Sequence, residues 1–178
     1  MKNKSRISII FLLLVLGCSK GSDQAKPEKN DYYERCRLLV LQEDRPNQNY
    51  QFKRDGREID EQTINYLGYI ITNKKDTLKI ISSVNFSGLF NDSKRGNGNI
   101  YIYDKSNHQI GFYNVGSALA IPKQIINNRE LLFDYKNDIC DQVTKVNLSD
   151  SIPKKIFVKC TSEGGDLYNF KKISKQLN

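Results

Sequence analysis

The chain of 178 residues has no tryptophan, one histidine, one methionine and four prolines. Each scarcity removes a class of chemistry. With His108 alone there is no His-Glu-x-x-His pair and no histidine-rich metal site, and a histidine-dependent triad would hang on this one residue. His108 falls in the polar stretch 104–108 between two strand-like runs and reads as an exposed turn residue. Without tryptophan, a sugar-stacking cleft loses its broadest aromatic platform. The four cysteines never stand at Cys-x-x-Cys spacing, which argues against a thioredoxin-type redox site and a zinc site. The Gly-rich phosphate loop, the dinucleotide fingerprint and the Gly-x-Ser-x-Gly elbow are all missing. The tip Lys94-Arg95-Gly96-Asn97-Gly98 reads as a hairpin end rather than an anion cradle. Glu130, Asp134, Asp138 and Asp141 are spaced near four apart, but Leu131, Phe133 and Tyr135 alternate as in a strand and disperse them. The EF-hand pattern is missing too, so neither metal nor cofactor is expected. No basic stripe is interleaved with stacking aromatics, so no nucleic-acid partner is expected.

Long apolar runs are scarce as well. The longest opens the chain: Lys2, Lys4 and Arg6 precede a ten-residue run, 7–16, interrupted only by Ser8. As a helix, ten residues span about 15 Å, half the hydrocarbon thickness, so the run is a leader and not a stable membrane span. It ends in Val15-Leu16-Gly17-Cys18, which resembles the lipobox of bacterial lipoproteins. The resemblance covers only the first 18 residues. It implies a diacylglyceryl group on the Cys18 thiol, cleavage before Cys18, and membrane lipid as the first partner. Two or three acyl chains hold a protein durably where one holds marginally. Residues 19–30 carry no large apolar side chain and read as a flexible tether. In many Gram-negative lipoproteins an aspartate after the lipidated cysteine retains the protein in the inner membrane. Ser19 stands there instead, and the resemblance therefore implies the outer membrane.

The formal charge is +8, or +5 once Lys2, Lys4 and Arg6 leave with the leader. From Lys154 onward six lysines face only Glu163 and Asp166. Residues 31–178 have the size of one domain able to bury a real core. Ten tyrosines and eight phenylalanines suit strands. Runs 63–72 and 77–86 flank a break at 73–76 and predict a hairpin. Turn chemistry fills 91–98. Runs 99–103 and 109–115 predict a second hairpin, with Ile100 and Ile102 on one face and Tyr101 and Tyr103 on the other. Runs 131–135, 142–148, 155–161 and 167–173 complete a meander, with Glu163-Gly164-Gly165-Asp166 as a tight turn. Residues 35–42 read as a first strand, although 32–41 could form a helix. The expected fold is mainly β: one antiparallel sandwich, open barrel or curled meander sheet, with room for a short N-terminal helix.

An oxidising envelope favours disulfides, and three cysteines remain besides Cys18. Centring a turn on Asp150 sets Cys140 opposite Cys160, Asp141 opposite Lys159 and Val143 opposite Phe157. A Cys140–Cys160 bridge would close a loop of about twenty residues and stabilise by roughly 3 kcal/mol. Lys145 opposite Lys155 counts against this register, and a bridge through Cys36 is the competing pairing. Asp76-Thr77-Leu78 and Asp150-Ser151-Ile152 resemble the acceptor triplet of certain Gram-negative O-glycosylation systems, which would modify Thr77 and Ser151. The leading functional expectation is a non-catalytic, lipid-anchored envelope module that binds a protein or glycan. An envelope hydrolase using scattered carboxylates and an inhibitor or immunity lipoprotein are the alternatives.

Overall fold

The computed structural model describes residues 29–56, 58–135 and 140–173. The leader, Cys18, residues 19–28 and Asp138 lie outside the described residues. The first element is a helix, α1 (Lys29–Glu43). The strand expected at 35–42 is therefore overturned in favour of its helical alternative. The reason is the spacing of the buried side chains: Tyr33, Cys36, Arg37, Val40 and Leu41 recur at i, i+3, i+4, i+7 and i+8, which lines one helical face. Leu39, in the middle of the apolar run, is left exposed.

Among the described residues ten strands follow: β1 (Gln48–Lys53), β2 (Ile59–Ile71), β3 (Thr77–Gly88), β4 (Arg95–Tyr103), β5 (Gln109–Asn114), β6 (Gln124–Ile126), β7 (Glu130–Asp134), β8 (Val143–Asn147), β9 (Lys155–Lys159) and β10 (Gly165–Lys172). They form two antiparallel sheets. The large one runs β1-β2-β3-β4-β5-β10-β9 and the small one β6-β7-β8. The large sheet keeps two open edges, so the fold is a layered sandwich with a helix and not a closed barrel. Both predicted hairpins form, β2 with β3 and β4 with β5.

Alternation along the strands builds two cores. Ile80, Ile100, Ile102 and Tyr113 face the small sheet, where Leu131, Phe133, Val146 and Leu148 join them. Ile64, Tyr66, Ile81, Tyr101 and Tyr103 face α1, meeting Cys36, Val40 and Leu41. A bulge between Tyr66 and Gly68 lets β2 change which residues face which layer: Tyr66 packs on the helix side, while Leu67 and Ile70 pack on the other. Gly68 sits at φ +109°, a conformation that a side chain would strain.

Several boundaries move. β4 starts at Arg95, inside the stretch read as a turn. Gly96 and Gly98 serve close packing there: a Cβ on Gly96 would stand 2.8 Å from the Phe86 ring and 2.9 Å from Ala118, and one on Gly98 would stand 2.9 Å from Val115. The final turn comes earlier than Glu163–Asp166 suggested. The amides of Cys160 and Thr161 both donate to the Gly164 carbonyl, and Gly165 already pairs with Lys159. Strands β1 and β6 had no counterpart in the expected set.

The cysteine pairing holds while its ladder does not. Cys140 and Cys160 are disulfide-bonded, with Cα atoms 4.4 Å apart. Yet β8 pairs with β7 and β9 with β10, in different sheets. Between β8 and β9 the chain makes corner contacts, from the Asp141 and Gln142 amides to the Cys160 carbonyl and from the Lys159 amide to Thr144 Oγ1. A full ladder would have set Lys145 against Lys155. The bridge thus pins one sheet to the other. Cys36 is unbridged and buried among helix-side residues, where burial pushes its thiol pKa up.

Candidate functional site

The small sheet covers only part of the large one. Beyond it, the same face of β2 carries Glu61, Thr63 and Asn65 in succession, and two hollows lie along this row. The first, about 520 Å³, is lined by Gln51, Lys53, Glu61, Thr63, Phe86 and Lys94 among others. Its charges are mutually satisfied. Glu61 lies 3.7 Å from Lys53 and 3.3 Å from Lys94, and the Lys94 ammonium sits 5.1 Å from the centre of the Phe86 ring.

The second hollow differs in kind. It encloses about 440 Å³ between Asn65 on β2, the irregular segment after β5, and the end of β7. Ala118, Leu119, Ile121, Pro122 and Tyr135 supply apolar walls. A single 3-10 turn, Ala118–Ala120, shapes one side, and the Ser117 hydroxyl caps it by accepting from the Leu119 amide at 3.1 Å. Leu119 stands at the rim, 75% exposed. The Tyr135 hydroxyl donates to the Ala120 carbonyl at 2.8 Å, and burial, reinforced by Tyr168 and Asp166, pushes its pKa well up. It is therefore a neutral structural phenol and no base.

Two residues on these walls each hold a buried oxygen without a donor among the described residues. Asn65 Oδ1 and Asp134 Oδ1 are both buried and unpartnered among the described residues. The second Asp134 oxygen, Oδ2, lies 3.8 Å from Lys123 Nζ. A buried acceptor without a donor costs roughly 1–3 kcal/mol. Gln62 Oε1 and Ser82 Oγ are also unpartnered, but neither shares a cleft with a second orphan acceptor. Chemically, the Asn65–Asp134 cleft is complementary to a molecule with an apolar flank and donor groups. Asp134 is the only carboxylate lining it among the described residues, so the paired carboxylates of glycoside hydrolysis are not assembled there.

The other expected positions can now be located. His108 is an exposed turn residue whose Nδ1 lies 3.2 Å from Asp104 Oδ2. Asp104 also accepts from the amides of Ser106 and His108 at 2.8 and 2.9 Å. Partial burial would raise its carboxyl pKa, but these hydrogen bonds outweigh it and hold the group below the usual range. Glu130 and Asp134 lie at opposite ends of β7, and Asp141 accepts from the side chain of neighbouring Gln142. No group of three or more His, Cys, Asp or Glu is placed to hold a metal among the described residues. Ser151 is exposed in an irregular stretch, whereas Thr77 is half-buried and paired with Ile71. Asn73 Nδ2 donates to Asp150, so the two triplet-bearing turns are docked on each other.

No protein family, curated protein or solved structure matches the chain. Among the described residues no helix is long and apolar enough to cross a membrane. The sequence reading did not single out Asn65, Leu119 or Lys123, and it weighed Asp134 only as part of a calcium set. No sequence signal marked Asn65, which alternates with the buried Gln62, Ile64 and Tyr66 on the half-buried parity of β2, where a polar residue is ordinary.

Proposed function

We propose that the chain is a lipid-anchored protein of the cell envelope whose domain is a non-catalytic binding module. Its site is the Asn65–Asp134 cleft, and its ligand is a hydroxyl- or amide-rich molecule with an apolar flank, of which an envelope glycan is the fitting class. The observation that carries the reading is that two residues lining one apolar cleft each hold a buried oxygen without a donor among the described residues. Rotation of the two side chains would turn these oxygens into the cleft, where hydroxyl or amide protons of a ligand would satisfy them, while Leu119, Ile121 and Pro122 would cover its carbon face. Binding would then supply the donors that both oxygens lack among the described residues.

The anchor is supported by Val15-Leu16-Gly17-Cys18 at the end of the apolar leader, and outer-membrane placement by Ser19. Labelled palmitate should enter the protein, and Cys18→Ala should abolish both the label and the processing. Unchanged labelling in that variant would remove the anchor from the account. For the cleft, the probe is soluble disaccharide-peptide fragments of peptidoglycan, titrated while backbone amide resonances are followed. Shifts should concentrate at Asn65, Leu119 and Tyr135, and Asp134→Ala should weaken binding at least tenfold. Shifts elsewhere, or none, would sink the glycan reading.

A further inference from the structure

The outer face of the β9–β10 hairpin is unusual for a solvated sheet. In β9, Ile156 and Val158 turn inward to the core shared with the small sheet, leaving Lys155, Phe157 and Lys159 on the opposite face. Leu167 of β10 stands directly across from Phe157. The two are 49% and 54% exposed, an apolar pair in open water. Lys155 and Lys159 flank Phe157 at two residues on either side. Farther along β10, on the same face, Lys171 reaches over the Phe112 ring, 5.6 Å from its centre. Phe112 packs against the helix-side core, so this face is the side of the large sheet that carries α1. Asp166 has the other parity and accepts from Tyr168 on the far side. Glu163, in the exposed turn at the hairpin tip, is the other carboxylate near the patch in sequence.

We propose that this face, centred on Phe157 and Leu167 and ringed by Lys155, Lys159 and Lys171, lies against an anionic lipid surface. Exposed apolar side chains among like-signed cations fit a lipid interface, where the rings and branches enter the headgroup layer and the ammoniums meet anionic headgroups. Chain geometry agrees. The inference rests on the Cys18 anchor of the previous subsection: ten residues separate Cys18 from Lys29, a reach of at most roughly 40 Å. The chain enters the domain through α1, on the very side of the sheet that bears the patch. A lipid tail and a basic apolar face would then act as two attachments to one surface, orienting the Asn65–Asp134 cleft, on the opposite face of the sheet, away from the bilayer.

The test reconstitutes the full lipidated protein on vesicles of phosphatidylcholine alone or mixed with phosphatidylglycerol. Lysine acetylation by a membrane-impermeant reagent is then mapped by mass spectrometry. Surface attraction changes occupancy roughly fivefold per lysine. Acetylation of Lys155, Lys159 and Lys171 should therefore fall several-fold on the anionic vesicles, while Lys74, Lys75 and Lys105 on other turns keep their rates. The double variant Phe157→Ser, Leu167→Ser should lose most of that protection, and so should Lys155→Gln with Lys159→Gln, which leaves the apolar pair intact. Equal rates on both vesicles, or protection of Lys74, Lys75 and Lys105 instead, would overturn the proposal. Flotation separates the two readings. Protein that floats with neutral vesicles but shows no selective protection keeps its anchor and loses the face. Protein that floats and is protected only on anionic vesicles keeps the face and loses the anchor. Flotation with neither overturns both.

Discussion

The two faces of the seven-stranded sheet are built from alternate residues of the same strands, yet they solve burial differently. Toward the small sheet the core is mostly aliphatic, built on Ile80, Ile100, Ile102 and Leu131 with Phe133 and Tyr113 among them, and closed by a second sheet and a disulfide. Toward the helix the core is phenolic. Tyr66 donates to Asp44 at 3.0 Å, and Tyr103 accepts from Arg37 Nε at 2.9 Å. The Arg37 guanidinium lies 3.9 Å from the centre of the Tyr101 ring. Farther along the strands this face gives way to amides, where Gln62 donates to Ser83 and Asn85, and Asn114 to Asn97 and Asn99. A second sheet can seal an aliphatic surface. One helix cannot cover seven strands, so the rest of that face must carry its own polar partners or meet something else.

If this contrast is right, Phe133→Ala should be the most damaging single change, costing about 3–5 kcal/mol in urea denaturation. Leu41→Ala on the helix face should act more locally. Hydrogen exchange should quicken at the α1 amides while β3 and β4 stay protected. Next in size is the bridge between the sheets. Reduction, or Cys140→Ala with Cys160→Ala, should lower stability by roughly 3 kcal/mol. Native Cys36 should meanwhile resist alkylation, being buried with its thiol pKa raised. Arg37→Ala should cost about 2 kcal/mol through the lost ring contact and hydrogen bond.

Alkali should probe the phenolic face. Burial pushes Tyr103 up to about 12 from an ordinary 10.0, a rise that Arg37 only moderates. Burial also raises Tyr66. A raised folded value favours the neutral phenol. The stability it contributes is whole below pH 10.0 and declines as pH climbs toward about 12. Tyrosinate absorbance should accordingly rise in two waves, the later one carrying Tyr66 and Tyr103 of the helix face together with Tyr113, Tyr135 and Tyr168 of the other face. The smallest effect belongs to the β4–β5 turn. The Asp104 carboxyl is held low, so its contribution is present above the ordinary aspartate range and fades as acid carries pH through the folded value. Asp104→Ala should cost about 1 kcal/mol by thermal melting.

Much of the sheet could be read directly, because the runs behind β2 to β5 are rich in branched and aromatic residues and Ile100 and Ile102 separate from Tyr101 and Tyr103 just as a period of two demands. What escaped has physical causes. The helix hid behind the continuous run Leu38-Leu39-Val40-Leu41, whose helical period shows only when Arg37 is accepted as an inward-facing residue. Gly96 and Gly98 resembled turn formers but are present to let Phe86 and Val115 approach. Strand β6 is three residues long, and its best signal was the pair Asn127 and Asn128, both in left-handed conformation at φ 52° and 51°. The cysteine pairing survived a failed ladder because a corner between two sheets brings chain ends together as closely as a hairpin does. The cleft could not be read at all, since Asn65 and Asp134 meet only through tertiary packing.

The most direct trial of the cleft is Asn65→Leu, scored twice on the same protein. Removing an acceptor that has no donor should raise unfolding stability by about 1 kcal/mol, while affinity for the peptidoglycan fragments falls at least tenfold. A variant that is destabilised, or that binds as well as the parent, would contradict the claim that this oxygen is held unpaired for a ligand.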